Sequence, residues 1–185
     1  MMKQLTWLVT GCSSGFGEAF VHEILMRGDR AIATGRNASE RLAHLEKLGA
    51  AILDLDVTAS QAELDSKVQK AIEMYYGIDV LVNNAGHFEL GLFEEVRYVT
   101  TVNLRASGCL FGQVLLTSDV SHERWVSQLN TDLFGPMNMT RAVLPYFRQK
   151  KEGKLVFLGS VNGWQATPAS SPYTTSKFAL EGILF

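Results

Sequence analysis

Tyr173 and Lys177 stand four residues apart in SPYTTSKFALEG, and Ser160 lies thirteen residues before the tyrosine. Four residues make one helical turn, so the phenol and the ammonium rise from the same helix face. An isolated tyrosine has a pKa of about 10. A neighbouring ammonium favours the phenolate, which makes proton exchange with a hydroxyl or carbonyl feasible near neutral pH. Ser160, expected at the end of a strand, can hydrogen-bond the same oxygen. Standing alone, the pair would be read as a solvent-facing Tyr and Lys on an ordinary helix.

It does not stand alone. TGCSSGFG at residues 10–17 follows an apolar run and precedes a helical pattern. Its spacing is not that of a P-loop, so a nucleoside triphosphate is not its expected ligand. Gly11 and Gly15 permit a tight turn and close approach to a ligand. Gly17 lets the helix pack close to the strand, and amides of the helix N-terminus face a pyrophosphate. Gly11, Ser13, Ser14, Gly15, Phe16 and Gly17 are therefore the expected dinucleotide contacts. The second strand ends AIATGRN, with Gly35 where an acidic residue would bind a ribose 2′-hydroxyl and Arg36 next to it. A guanidinium can pair with a 2′-phosphate, so NADP(H) is expected over NAD(H). Asp56 and Val57 are placed to meet the adenine.

The elements that must hold these groups follow from periodicity. Strands are expected at 5–9, 31–34, 51–55, 79–82 and 154–158, and helices at 15–27, 39–48, 59–76 and 122–150, with a last helix from about Pro172. Phe20, Ile24 and Leu25 form one apolar stripe, and Leu64, Val68, Ala71, Ile72 and Tyr75 another. Strands alternating with helices imply a doubly wound parallel sheet in three α/β/α layers. No repeat or linker marks a second domain, so residues 1–185 are read as one.

Composition narrows the function classes. Apolar content of 46% and a mean hydropathy of +0.05 are those of an ordinary globular chain, and a net charge of −2 offers no footprint for nucleic acid or an anionic membrane. Cys12 and Cys109 lack metal-ligand spacing, and no metal site is expected. His22, His44, His87 and His122 read as isolated surface or core residues. The first residues lack signal-peptide character and no stretch has transmembrane length, so a cytoplasmic setting is expected. Trp164 suits either a substrate pocket or the core.

TGCSSGFG, Asp56-Val57, NNAG at 83–86, Gly159-Ser160 and YTTSK at 173–177, in that order, resemble a classical short-chain dehydrogenase/reductase. The resemblance implies a Rossmann-type fold, an NAD(P)(H) cofactor, and hydride transfer between nicotinamide and a small-molecule carbonyl/alcohol substrate. It makes Tyr173 the acid/base, has Lys177 tune it and hold the nicotinamide ribose, and has Ser160 orient the substrate oxygen. Tyr173, Lys177 and Asn83 would also lie beside the cofactor. A homo-oligomer, paired through the helices carrying Asp132 and Tyr173, is left open.

Three departures qualify the resemblance. The relay asparagine expected three residues before Gly135 is replaced by Asp132. Residues 97–120 enlarge a connection that the family keeps short, and read either as an insertion or as an intron retained in frame. Joining FEEV (93–96) to SHERW (121–125) would restore a helix entry with Ser121 as N-cap, and genomic DNA without splice signals there would exclude the intron. The chain also stops at Phe185, before the strands and substrate-binding region that the family pattern implies, so the sheet is expected to be incomplete at the C-terminus. Weak or no turnover is therefore expected from the chain as written. The alternatives are a non-catalytic dinucleotide-binding or interaction protein, or a non-functional gene-model fragment.

Overall fold

Each strand alternates its side chains between two faces, and each face has become a core. A computed structural model of the chain describes residues 3–90 and 121–184. The expectations for FEEV, for 97–120 and for Phe185 lie outside the described residues. The strands are β1 (Thr6–Val9), β2 (Arg30–Gly35), β3 (Ala51–Asp54), β4 (Val80–Asn83) and β5 (Lys154–Phe157). All pair in parallel, in the order β3-β2-β1-β4-β5. The order reverses beside β1, because β2 and β4 flank it on opposite sides, and that switch point opens a crevice at the strand C-termini. This is the Rossmann-type doubly wound parallel sheet expected from the alternating elements.

Leu8 sits in register with Ile32 on one side and Leu81 on the other. These three join Leu64, Val68 and Ala71 of α4 (Gln61–Tyr75) and Met139, Val143 and Phe147 of α6 (Gly135–Lys150) in one buried layer. Val9, Ala31, Ala33, Val80 and Val82 point the other way. They bury Val21 and Ile24 of α1 (Gly15–Met26) and Leu45 of α3 (Ala43–Lys47). The stripe read on α4 is the buried face. On α1 the inward residues are Gly17, Val21 and Ile24, with Phe20 and Leu25 only packed against the margin.

Two expected helices are interrupted. The one at 39–48 is α2 (Ala38–Arg41) followed by α3, broken at Leu42, whose side chain is wholly buried. The one at 122–150 is α5 (His122–Leu129), a π-helical turn (Asn130–Phe134) and α6. Periodicity could not separate these, since a π turn adds one residue without breaking helical continuity. Ser121 does cap α5, its Oγ accepting from Arg124 N at 3.4 Å. Lys150 does more than face a helix dipole: its Nζ donates to Ile78 O at 3.0 Å and pairs with Asp79, tying the end of α6 to β4.

Candidate active site

The glycine turn is locked to the end of β4 by Thr10. Its Oγ1 donates to Val82 O at 3.2 Å and accepts from Asn84 N and Ala85 N, each at 3.0 Å. Asn84 Nδ2 returns to Thr10 O at 2.8 Å and Gly11 O at 3.0 Å. These bonds hold NNAG and the turn as one wall. A Cβ on Gly11 would lie 2.7 Å from Ala85 Cα, and one on Gly17 would collide with the Gly11 carbonyl and Asn84. Gly11 and Gly15 also hold φ near +71° and +64°, the left-handed region that favours glycine.

Beside this wall lies a cleft of about 570 Å³. Gly11, Ser13, Ser14, Gly15, Phe16, Arg36, Asp56 and Val57, expected from the sequence to contact a cofactor, line it, whereas Gly17 does not and packs instead against the Gly11 carbonyl and Asn84. Ser14, the N-cap of α1, makes no side-chain capping bond, so that side chain does not occupy the first-turn amides. The cleft therefore fits a dinucleotide: a glycine cradle, amides at a helix start, and basic residues at the far end. Arg41 of α2 and His87, not singled out from the sequence, line it too. Asn83 does not. Its side chain is buried and donates to Thr140 Oγ1 at 3.3 Å, while its neighbours Asn84, Ala85 and Gly86 form the wall.

Tyr173 and Lys177 lie on α7 (Ser171–Leu184). Lys177 is buried, and its Nζ donates to Leu158 O at 2.9 Å, just past the end of β5. The same nitrogen lies 5.6 Å from the centre of the Tyr173 ring, so the ammonium stands under the phenol. The Tyr173 and Phe88 rings meet in a T-shaped contact, with centroids 4.6 Å apart and planes 81° apart.

Ser160 opens a 3-10 turn (Val161–Gly163) that packs on α7. Its Oγ accepts from Asn162 N at 3.2 Å, which leaves its hydroxyl proton available to donate. The turn is anchored by a buried polar cluster. Asn162 Nδ2 donates to Ser170 Oγ and Thr174 Oγ1, each at 3.1 Å, and Thr167 Oγ1 donates to Asn162 Oδ1 at 3.4 Å. Ala169 beside it holds φ at +60°, a strained value for alanine that this cluster stabilises. Trp164, 68% exposed, is not a core residue.

Asp132 lies in the π turn and is 1% exposed. Its Oδ1 accepts from His87 N at 3.1 Å, and its Oδ2 lies 3.6 Å from Lys177 Nζ. Burial pushes its carboxyl above the usual range, and the charges of Lys177 and His87 and the His87 amide oppose that rise. Burial also pushes the Cys12 thiol up to about 12, so it is an inert packing residue at the base of the turn.

A switch-point cleft with a glycine cradle, next to a helix bearing a Tyr–Lys pair, defines a dinucleotide-binding α/β protein. The chain belongs to the short-chain dehydrogenase family, whose family profile matches residues 6–184. This is a family of oxidoreductases that bind NAD(P). The chain is 36% identical to an oxidoreductase of Bacillus subtilis, YusZ, over 98% of this chain and 58% of that protein. It is 33% identical to 3-ketodihydrosphingosine reductase of Bacteroides thetaiotaomicron, over 95% of this chain and 54% of that one. Among solved structures, a short-chain dehydrogenase from Streptomyces avermitilis superposes with a TM-score of 0.79 at 31% identity, covering 98% of this chain and 58% of that one. Actinorhodin polyketide ketoreductase with NADPH gives 0.78 at 26% identity, covering 99% and 64%. The chain thus spans a little over half the length of these curated relatives. Among the described residues no helix is long and apolar enough to cross a membrane.

Proposed function

We propose that the chain carries the cofactor cleft and the acid–base site of an oxidoreductase working on a small-molecule carbonyl/alcohol pair, with NADP(H) preferred over NAD(H). The observation that carries the reading is the buried Lys177 ammonium, held by Leu158 O at 2.9 Å and set 5.6 Å from the Tyr173 ring. A buried cation there stabilises negative charge on the phenolic oxygen, which is what a tyrosine acid/base requires. When bound, the cofactor supplies or accepts the hydride at its nicotinamide ring. In the reducing direction Tyr173 gives its hydroxyl proton to the substrate oxygen, and Ser160 donates a hydrogen bond to that oxygen. In the oxidising direction Tyr173 takes the proton back.

Arg36 and Arg41 support the cofactor preference. Both line the cleft, while β2 ends in Gly35 and supplies no carboxylate to repel a 2′-phosphate. Asp56 is turned to its own loop, its Oδ1 accepting from Thr58 N at 2.9 Å and Thr58 Oγ1 at 2.8 Å. The relatives' names extend to carbonyl reduction, since one is a 3-keto reductase and one a ketoreductase with NADPH. Asp132, which at the level of sequence favoured a binding-only protein, stays in ion-pair range of Lys177 and does not detach the lysine from the site.

The test is NADPH-dependent reduction of model carbonyls by a version of the chain extended to the length of its relatives, with and without Tyr173→Phe, since weak or no turnover is expected of the chain as written. Turnover should fall on the order of 10²–10⁴-fold in the variant, with NADPH binding retained. Turnover that survives the substitution would remove the tyrosine from the chemistry.

A further inference from the structure

Asp132 meets two nitrogen-bearing side chains, the Lys177 ammonium and the His87 imidazole, and the second is not part of the acid–base pair. Its Oδ2 faces Lys177 Nζ at 3.6 Å and is buried without a hydrogen-bond partner. Its Oδ1 accepts the His87 amide at 3.1 Å and lies 3.8 Å from His87 Nδ1. The His87 side chain is 36% exposed and lines the cofactor cleft, whereas Asp132 and Lys177 are almost wholly buried. One carboxylate thus spans a buried ammonium and an imidazole that solvent can reach. Gly86 leaves room for this, since a Cβ there would stand 3.2 Å from Asp132 Oδ2.

The surroundings assign the remaining charges. Glu89, on the same segment as His87, is paired with Arg124 of α5 at 2.9 Å. Gln128 of α5 is neutral; its Nε2 donates to His87 O at 2.9 Å and its Oε1 accepts from Glu89 N at 2.9 Å. Those two bonds hold the His87–Glu89 backbone against α5. From α7 the titratable neighbours are Lys177 and Tyr173. The His87 imidazole is left as the solvent-reachable ionisable side chain that adjoins both the Asp132 carboxyl and the cleft.

We propose that His87 is a positioning residue that acts on Lys177 through Asp132, so that a charge on the imidazole draws the shared carboxylate and frees the ammonium toward the cofactor side of the site. Histidine ordinarily changes charge between pH 5 and 8. The cleft then holds an anionic dinucleotide more tightly at the acid end of that window. This proposal rests on the reading of the cleft as a dinucleotide site, but the charge chain itself exists without cofactor.

The two parts separate experimentally. Thermal melts of the cofactor-free chain, His87→Gln, Asp132→Asn and the double variant at pH 5.5 and 8 form a double-mutant cycle. The two substitutions should couple at pH 5.5 and become nearly additive at pH 8. NADPH titrations of the same four proteins should show wild-type affinity higher at pH 5.5 than at pH 8, on the order of five-fold beyond the change seen in His87→Gln. The 2′-phosphate of NADPH titrates near pH 6 in all four, so it cancels in that comparison. A purely structural role for His87 would weaken binding equally at both pH values. Additive melts at pH 5.5, or a His87→Gln protein with the wild-type pH dependence of binding, overturn the proposal. Coupled melts in a chain that binds neither NADPH nor NADH would uphold the charge chain and refute the cofactor reading.

Discussion

Lys177 Nζ lies 3.6 Å from Asp132 Oδ2, joining the helix that carries the proposed acid–base pair to the π turn of its neighbour. The contact depends on that turn, which sits between α5 and α6 and buries Asp132. Burial outweighs the attraction of Lys177 in setting the Asp132 carboxyl, which is held above the usual range.

A stability prediction follows from that sign. A carboxyl raised in the folded state contributes its stability below the ordinary carboxylate range and loses it as pH rises through the raised value. An asparagine resembles the protonated form at every pH. The melting temperature of Asp132→Asn relative to wild type should therefore climb between pH 4 and pH 7. A constant or shrinking difference in calorimetric scans would contradict it.

Arg36 provides a second prediction. If its guanidinium grips a 2′-phosphate, Arg36→Ala should weaken NADPH by about ten-fold or more, as expected for loss of a charge-assisted bond, and leave NADH nearly unchanged. Arg41→Ala should act in the same direction. Fluorescence titration with both cofactors checks this, and equal weakening of the two would rule out a role in selectivity.

Asn162 provides a third. Asn162→Ala would take one donor from each of the buried Ser170 and Thr174 hydroxyls, remove the acceptor of Thr167 Oγ1, and loosen the turn that presents Ser160. We expect a loss of about 1–3 kcal/mol, or a melting temperature lower by several degrees. Asn162 does not line the dinucleotide cleft, so NADPH affinity should stay within about two-fold of wild type. Affinity falling further while stability holds would mean that the cluster serves the cofactor instead.

Much of this was legible in the chain because it rests on local rules. The glycine turn demanded left-handed backbone at Gly11 and Gly15, and both adopt it. The alternation of Leu8 with Val9 and of Leu81 with Val82 required a sheet with two covered faces, and each pair divides between the two cores. The α4 stripe of Leu64, Val68 and Ala71 pointed inward as its period required. Asn83 shows where motif order stopped being enough: it stands in NNAG as the pattern implies, yet its side chain turns to Thr140 and away from the cleft.

The sequence by itself determined the strand–helix alternation, the cradle at the first turn and the one-turn spacing of Tyr173 and Lys177, because each depends on backbone sterics or side-chain period over a few residues. Only the tertiary structure decided what surrounds Lys177. His87, Asp132, Leu158 and Lys177 meet from four separate segments, and their electrostatics follow from burial and separations of 3–4 Å that no local pattern encodes.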